Sequence, residues 1–381
     1  MTTPVPLCDI ALQYSNLRGE LDAAVLRVLH SGQAILGPEV AAFESEFAAS
    51  CGAKYAVGLA NGTDALLIAL AALDIGPGDE VILPPFTFFA TAGSIVRIGA
   101  TPVFADIDPA TFNIDPAEIE TKITPRTKAI MPVHLFGQCA DMGRIEAIAA
   151  GAGVPIIEDA AQSYGACFRR RKCGTLGAIS SFSFYPSKNL GTMGDGGAVS
   201  TQDEGLYKKM LALRNHGCEV KYFHKYLGWN ARLDALHAAI LRVKLPHTEA
   251  WIEGRRTAAK RYDAMIEAEQ LDGFLERPHV AETGRHTFNQ YVVRVPLGHR
   301  DPLVKYLKAE QIGCEIYYPL SLHQQECLKF LGHSAGDFPQ SERAATCVLA
   351  LPMFPEITAE QQQRVLDAVQ GYVRQTARKV A

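Results

Sequence analysis

Ile156-Ile-Glu-Asp-Ala-Ala-Gln162 has the composition of a short, buried strand that ends in a carboxylate. A second stretch, Ser181-Phe-Ser-Phe-Tyr-Pro-Ser-Lys-Asn-Leu-Gly191, continues a similar strand into a loop that carries one lysine. On both sides of these stretches, from about residue 54 to residue 200, short apolar runs alternate with amphipathic segments. This alternation predicts an α/β fold in which helices cover a mostly parallel sheet.

The elements of this sheet can be placed along the chain. The predicted strands are 56–60, 80–84, 101–106, 127–132, 155–159, 179–184 and 197–201. The predicted helices between them are 64–73, 87–98, 115–123 and 142–150. Ligands of such folds bind beyond the carboxyl ends of the strands, and Asp159 falls at such an end.

The sequence changes in character after Leu245-Pro-His-Thr248. A long charged helix is predicted at 249–269, a strand at 289–295, a further helix and strand before Tyr317, and a terminal helix at 358–381. The length favours roughly two to three domains. We therefore predict a large cofactor-binding domain at residues 1–245 and a small α+β domain at residues 246–381, with Pro246 near the hinge.

Composition and charge exclude several classes of protein. A net charge of −4 in 381 residues argues against a surface for nucleic acid or an anionic membrane. The N-terminus lacks a basic segment followed by an apolar one, and the longest apolar helical run, 65–73, is too short to span a bilayer. We expect a cytoplasmic protein.

Nine cysteines without a Cys-x-x-Cys pair indicate reduced thiols rather than a disulfide or metal framework.

Lys188 and Asp159 carry the chemical prediction. A lysine that forms a Schiff base and a carboxylate that pairs with a pyridinium nitrogen are the groups that pyridoxal 5'-phosphate (PLP) requires from a protein. Phe184, Pro186 and Leu190 flank the lysine, and apolar surroundings lower the pKa of an amine. Alone, the aspartate could be a helix N-cap and the lysine a solvated surface group. The combination predicts a PLP site.

Asn61-Gly-Thr-Asp64 lies between a predicted strand and a predicted helix and could hold a phosphate. Unpaired amides and the helix dipole favour an anion at a helix N-terminus. Gly62 would let the backbone approach, and Thr63 would add a hydroxyl. The alternative is an ordinary capped turn, which these residues alone would favour. Ser183 could supply a second hydroxyl, although by itself it is only a buried serine.

Two other features indicate ordinary turns. Gly194-Asp-Gly-Gly197 lacks the spacing of a dinucleotide-binding or P-loop motif, so we predict a tight turn into the strand 197–201 and disfavour a nicotinamide oxidoreductase. Arg169-Arg-Arg-Lys172 is predicted to be a solvated hairpin tip, because one short cationic cluster in an acidic protein does not indicate nucleic-acid binding.

A series of motifs occurs in order along nearly the whole chain: Gly37-Pro-Glu-Val40, Ala60-Asn-Gly-Thr-Asp64, Gly76-Pro-Gly-Asp-Glu80, Glu158-Asp-Ala-Ala-Gln162, Phe184-Tyr-Pro-Ser-Lys-Asn-Leu-Gly191, Gly194-Asp-Gly-Gly197 and Trp229-Asn-Ala-Arg-Leu-Asp234. This series resembles the sugar aminotransferases of the DegT/DnrJ/EryC1/StrS group. The resemblance implies a fold type I, aspartate-aminotransferase-like PLP enzyme. It also implies a homodimer with active sites at the subunit interface.

The resemblance assigns roles by matching motif. Lys188 would be the Schiff-base lysine and proton carrier, Asp159 the partner of the pyridine nitrogen, and Gln162 the neighbour of the ring hydroxyl. Phe88 matches the aromatic residue that stacks on the ring, with Phe89 or a place in the helix core as alternatives. The phosphate would be held by Gly62, Thr63 and Ser183, joined by Asn230 from the other subunit.

The reaction implied is ping-pong transamination from glutamate, which leaves as 2-oxoglutarate, to the keto group of a nucleotide-linked sugar. A lysine rather than a histidine at position 188 excludes the dehydratase branch of the group. Residues 187–191 and 194–197 are most similar to members that aminate C3, including those acting on UDP-2-acetamido-2-deoxy-3-oxo-glucuronate. Such enzymes contribute to lipopolysaccharide or O-antigen biosynthesis.

The substrate prediction leaves alternatives open, because those enzymes often carry His-Tyr-Pro where this chain has Tyr317-Tyr318-Pro319. A dTDP-3-keto-6-deoxy sugar, a 4-keto sugar or a cyclitol such as scyllo-inosose would require the same PLP residues. A non-catalytic regulator is disfavoured because the lysine and aspartate are present. The predicted substrate contacts are Arg232, Tyr317, Tyr318 and His323. The arginine suits a uronate carboxylate, with a salt bridge to Asp234 or to another carboxylate in the dimer interface as its alternative.

Overall fold

The computed structural model describes residues 3–380. Its α-helices are α1 (Ile10–Ser31), α2 (Pro38–Cys51), α3 (Gly62–Ala72), α4 (Ala90–Arg97), α5 (Pro116–Lys122), α6 (Met142–Ala152), α7 (Glu204–Leu213), α8 (Ala235–Lys244), α9 (Thr248–Ala268), α10 (Arg300–Ala309), α11 (Pro339–Cys347) and α12 (Ala359–Val380). Its strands are β1 (Tyr55–Leu59), β2 (Glu80–Leu83), β3 (Thr101–Phe104), β4 (Thr127–Ile130), β5 (Ile157–Asp159), β6 (Cys167–Phe168), β7 (Arg171–Lys172), β8 (Ile179–Ser183), β9 (Gly197–Thr201), β10 (Cys218–Val220), β11 (Phe223–His224), β12 (Gly284–Arg285), β13 (Tyr291–Arg294) and β14 (Val348–Leu351).

The central sheet joins two sets of strands. In one set, β2 pairs in parallel with β3 and β4. In the other, β5 and β8 are parallel, and β9 lies antiparallel between β8 and β1. Parallel bridges from Ile130 to Ile156 and from Val133 to Asp159 connect the two sets. The order is β1-β9-β8-β5-β4-β2-β3, which confirms the predicted mostly parallel sheet.

The strand directions bring the site residues to one edge of the sheet. Because β1, β5 and β8 run parallel, their carboxyl ends meet at this edge. The antiparallel β9 starts there, and its first residue, Gly197, pairs with Leu59 on one side and Ser183 on the other. The turn that follows β1 therefore lies beside the end of β8.

Helices cover both faces of this sheet, as strands buried on both faces require. Helices α2, α6 and α8 contribute Phe43, Phe47, Ile145 and Leu241 to one buried cluster. On the opposite face, α3, α4 and α7 contribute to a second cluster.

The C-terminal region has its own core. Helices α9, α10 and α12 pack around the antiparallel pair β13–β14. Val5 forms a bridge with Ile312 and belongs to this cluster, so the N-terminal segment also contacts this region. The division at residues 245 and 246 stays a prediction.

Several elements differ from the predicted ones. Helix α1 was not predicted, although its buried residues Leu17, Leu21, Ala24 and Val28 have helical spacing. The helix predicted at 87–98 begins only at Ala90. The strand predicted before Tyr317 is reduced to a bridge between residues 315 and 350.

The predicted hairpin tip is confirmed. Arg169 and Arg170 are exposed, have positive φ values and join β6 to β7. The glycine-rich segment 194–197 leads directly into β9. All nine cysteines are free thiols.

Within residues 3–380, no helix combines the length and the apolar character that a membrane span requires. A cytoplasmic location stays a prediction.

Candidate active site

The N-terminus of α3 forms a cradle for an anion. Asn61 caps the helix by accepting a hydrogen bond from the Asp64 amide at 2.8 Å. The amides of Gly62 and Thr63 lie in the first turn, where a helix offers no carbonyl to accept them. Ser183 accepts a hydrogen bond from the Tyr185 amide at 3.3 Å, which leaves its own hydroxyl proton free to donate.

Two glycines allow this cradle to close. A Cβ atom on Gly62 would lie 2.8 Å from the Ser183 Cβ, and one on Gly197 would lie 2.5 Å from the Asn61 carbonyl. Any larger residue at either position would push the α3 turn away from the end of β8. The close approach of β1, β9 and β8 therefore brings the predicted phosphate-binding residues Gly62, Thr63 and Ser183 together.

Asp159 lies at the end of β5, with its carboxylate buried. One oxygen accepts a 2.8 Å hydrogen bond from the Thr91 hydroxyl on α4, and the other accepts a 3.2 Å bond from the Ala161 amide. Burial raises the pKa of Asp159, and these two donors together with the Lys188 ammonium partly oppose the shift. A cationic N–H donor is the partner that such a carboxylate lacks.

Lys188 lies in the loop after β8 and is half-buried. Loss of hydration lowers the pKa of its amine to about 8, against the opposing attraction of Asp159. The amine is therefore partly unprotonated near neutral pH, which both a nucleophile and a proton carrier require.

Phe88 and Gln162 lie around the same edge. Phe88 is 58% exposed and its ring lies 6.2 Å from that of Tyr318, so it is not a core residue, whereas Phe89 contacts Gly93 of its own helix. Gln162 accepts a hydrogen bond from the Phe136 amide at 2.9 Å and donates one to the Tyr318 hydroxyl at 2.9 Å. The C-terminal region thus contacts the predicted ring site.

Asn230 and Arg232 lie on a segment beside the end of β1, where Arg232 forms a bridge with Leu59 and Asn230 forms one with Asn215. Asn230 is exposed, as a residue that reaches another subunit must be. Arg232 is half-buried and donates a 2.8 Å hydrogen bond to Asn215. Among the described residues Arg232 forms no salt bridge with Asp234, which caps α8 and pairs with His237 at 3.0 Å.

The remaining predicted substrate contacts separate into two groups. Tyr317 is half-buried and lies near Tyr185, and burial raises the pKa of its phenol to about 12. His323 is fully buried, and its two ring nitrogens bond to Ser321 at 2.9 Å and Glu342 at 3.1 Å. This geometry does not support the prediction that His323 binds substrate.

Sequence reasoning missed the groups behind Asp159. Glu158 is buried and accepts hydrogen bonds from the amides of residues 174, 176 and 177 and from His134. The ligand atoms of His134, Cys139 and Cys173 lie within 4.8 Å of one another. Partners within the chain already hold two of them: His134 bonds to Glu158 at 3.1 Å, and Cys173 to Ser163 at 2.9 Å.

The arrangement fits PLP. The anion cradle matches its phosphate, the buried Asp159 matches a protonated pyridine nitrogen, and Phe88 offers an exposed aromatic face. Lys188 supplies an amine of lowered pKa for the cofactor's aldehyde.

Comparison with known proteins places the chain in a family. The profile of the DegT/DnrJ/EryC1/StrS aminotransferase family matches residues 15–370. The chain is 45% identical to a UDP-N-acetyl-3-dehydro-alpha-D-glucosamine 3-aminotransferase of Acidithiobacillus ferrooxidans, over 96% of this chain and 97% of the relative. It is 42% identical to a UDP-2-acetamido-2-deoxy-3-oxo-D-glucuronate aminotransferase of Pseudomonas aeruginosa, over 92% and 95%.

Other relatives carry different names. A protein of Geobacillus stearothermophilus that is 47% identical, over 98% of this chain and 100% of the relative, is named a pleiotropic regulatory protein. Relatives at 40 to 42% identity are named transaminases of dTDP-linked amino sugars.

Solved structures agree with this placement. The structure of DesV from S. venezuelae superposes with a TM-score of 0.92 at 41% identity, covering 97% of this chain and 99% of that one. NtdA from Bacillus subtilis, solved with the cofactor PMP bound, superposes with a TM-score of 0.87 at 32% identity, covering 94% and 82%. The chain is a PLP-dependent sugar aminotransferase of fold type I and belongs to the DegT/DnrJ/EryC1/StrS aminotransferase family.

Proposed function

We propose that this aminotransferase moves an amino group from glutamate to C3 of UDP-2-acetamido-2-deoxy-3-oxo-glucuronate. The observation that carries the chemical part is the Lys188 amine, whose pKa is lowered to about 8, near the buried Asp159. The names of two relatives support a UDP-linked 3-keto sugar. Arg232 bonds to a neutral amide rather than to a carboxylate, which supports a substrate that carries a carboxylate.

The residues of the chain divide the chemistry among them. PLP, when bound, supplies an electron sink for negative charge at the substrate carbon. Asp159 would hold the proton on the pyridine nitrogen, which would let the ring accept that charge. Lys188 would take a proton from the substrate carbon and deliver it to C4′ of the cofactor, as an amine with a pKa near the working pH can do. The α3 amides and the Ser183 hydroxyl hold the phosphate.

Thr91 is expected to support Asp159. Thr91→Val keeps the shape of the side chain but removes the 2.8 Å hydrogen bond, and a hydrogen bond to a charged group contributes about 1.5 to 3 kcal/mol. We expect PLP to bind roughly tenfold more weakly or worse. Titration of PLP-free protein by fluorescence measures this affinity. Thr91→Ser retains the hydroxyl and should bind nearly as well as the wild type; equal affinity of the valine variant would contradict the role.

Arg232 is the residue that favours a uronate. Within residues 3–380 its guanidinium forms no salt bridge, and its hydrogen-bond partner is the neutral amide of Asn215. A half-buried cation without an anionic partner suits a ligand carboxylate, which guanidinium binds well through two parallel hydrogen bonds. Its position two residues from Asn230 would place it on the surface proposed to face the neighbouring active site.

The uronate proposal predicts an asymmetric effect of Arg232→Lys. Binding of the sugar substrate should weaken by about 1 to 3 kcal/mol, because a lysine cannot form the bidentate contact. The rate of the glutamate half-reaction should be nearly unchanged. Stopped-flow absorbance separates the two half-reactions. Arg285→Lys, which alters a surface arginine bonded to Glu249 and Glu253, is the matched control. Equal losses in both halves would argue against a carboxylate contact.

A substrate panel tests the proposed function directly. Nucleotide-linked amino sugars are supplied with 2-oxoglutarate, and formation of glutamate is measured. The UDP-linked 3-amino uronate should react fastest. If a dTDP-linked 3-amino-6-deoxy sugar, a 4-amino sugar or scyllo-inosamine reacts faster, that class is the substrate instead of the uronate. The aminotransferase chemistry would be unaffected by this result.

We also propose that the enzyme is a homodimer with shared active sites. The hairpin β10–β11 and the loop after it expose large apolar side chains: Tyr222 is 80% exposed, Phe223 73% and Leu227 96%. Apolar surface of this kind marks an interaction site. Asn230 follows this loop in the sequence. If a second copy of the chain covers the hairpin, Asn230 of the first copy would lie near the anion cradle of the second.

Hybrid dimers test the sharing of sites. Asn230→Ala and Lys188→Ala chains, each inactive alone, would combine into dimers in which one site has both residues intact. We expect a mixture of the two to recover up to about a quarter of wild-type activity under random exchange, measured after native mass spectrometry has established the exchange. If no activity returns, Asn230 serves its own subunit.

A further inference from the structure

Lys244 is a buried amine at the end of α8. Its side chain is inaccessible to solvent, and its Nζ donates a 2.8 Å hydrogen bond to the carbonyl of Gly191. The sulfur of Met193 lies at 4.0 Å. Gly191 lies three residues after Lys188, so this contact reaches the segment that carries the catalytic amine.

The Lys188 turn, residues 184–192, is folded tightly on itself. The Lys188 amide donates to the carbonyl of Tyr185 at 2.9 Å, and the Thr192 amide donates to that of Phe184 at 2.8 Å. A Cβ on Gly191 would lie 2.5 Å from the Pro186 carbonyl. The turn therefore closes on a glycine whose own carbonyl points to Lys244.

The burial of Lys244 is unusual because no carboxylate offsets it. Among the described residues Lys244 forms no salt bridge, and its strong acceptor is the carbonyl of Gly191. Loss of hydration lowers the pKa of Lys244 to about 8. Burial of an amine without a charged partner is costly, and the hydrogen bond that Lys244 makes is to the Lys188 turn.

Contacts on the other side of the turn complete the attachment. Leu190 belongs to the same buried cluster as Ala238 and Leu241 of α8. Asn189 donates to the carbonyl of Tyr164 at 3.3 Å. Helix α8 thus supports the turn by apolar packing at Leu190 and by one directed hydrogen bond at Gly191.

We propose that Lys244 is a positioning residue for Lys188, holding the Lys188 turn closed through the carbonyl of Gly191. When this hydrogen bond is removed, the turn opens and the Lys188 amine becomes more hydrated. The inference rests on the proposed role of Lys188, but its test measures the amine itself and does not depend on turnover.

The test is competitive labelling of full-length, PLP-free protein with trace acetic anhydride between pH 6 and 11. Mass spectrometry of the peptide that contains Lys188 gives the pH at which half of this amine is reactive. In the wild type this midpoint should lie near 8. In Lys244→Met it should rise by at least about one unit, so that the free-amine fraction at pH 7 falls roughly tenfold.

A buried cation elsewhere provides the control. Arg255 is also buried and donates to the carbonyls of Asn289 and Met353. Arg255→Met should lower the melting temperature without moving the Lys188 midpoint. An unchanged midpoint in folded Lys244→Met, or an equal shift in both variants, would overturn the proposal.

A second variant covers the case in which Lys244→Met does not fold. Lys244→Gln buries no charge and is one atom too short to reach Gly191 in the same way, so its midpoint should also rise. A folded glutamine variant with the wild-type midpoint would count against the proposal in the same manner.

Discussion

Lys188→Ala is expected to reduce transamination by roughly 10⁴-fold, the upper end of what one positioned acid–base group contributes. The variant lacks the amine that we propose both to bond to the cofactor and to carry the substrate proton. Wild-type protein loaded with PLP should be yellow, be bleached by glutamate and retain a covalent link after borohydride treatment. The variant should bind PLP without that link. Turnover assays and mass spectrometry of reduced protein measure these outcomes.

Mapping the reduced link separates Lys188 from other amines. Lys244 also has a pKa lowered to about 8, and a link to Lys244 in the wild type would contradict the assignment. Lys172→Ala is the matched control, because Lys172 donates to the carbonyl of Ser50 at 2.8 Å away from the cradle. This variant should keep full activity.

Asp159→Asn is expected to lower kcat by roughly 10²- to 10³-fold. The substitution removes the charge that we propose to hold the proton on the pyridine nitrogen, and breaking a buried ion pair costs about 3 to 5 kcal/mol. The amide oxygen can still accept the bond from the Ala161 amide. The new NH2 can donate to the Thr91 hydroxyl, which can turn to donate to Thr87, so the geometry should persist. Stopped-flow measurement of both half-reactions should show the loss in each.

The same variant should have the opposite effect on the PLP-free protein. Burial raises the pKa of Asp159 above its value in an unfolded chain, so the folded protein binds the proton more tightly. Its ionisation therefore destabilises the folded state, and the penalty grows as the pH rises through the raised pKa. Asp159→Asn should raise the melting temperature of PLP-free protein at neutral pH. A lower melting temperature with equal PLP affinity would indicate a structural carboxylate instead.

Much of the site follows from local sequence. The apolar run before Asp159, the loop that carries Lys188 and the turn at Asn61 each predict a strand end, because strands are short and their ends are marked by polar and glycine residues. Ligands of parallel sheets bind beyond the carboxyl ends of the strands, and the sequence places Asp159 at such an end. The α/β class and the PLP chemistry are determined at this level.

The tertiary structure decided which distant segments meet. Thr91 supports Asp159 across 68 residues, Tyr318 reaches Gln162 across 156, and Lys244 holds Gly191 across 53. Distant packing also brings Glu342 to His323, whose two ring nitrogens bond to Ser321 and Glu342. Local periodicity reports which face of an element is buried, but not its partner. These contacts depend on the order of the sheet and the docking of α4, α8 and the C-terminal region on it.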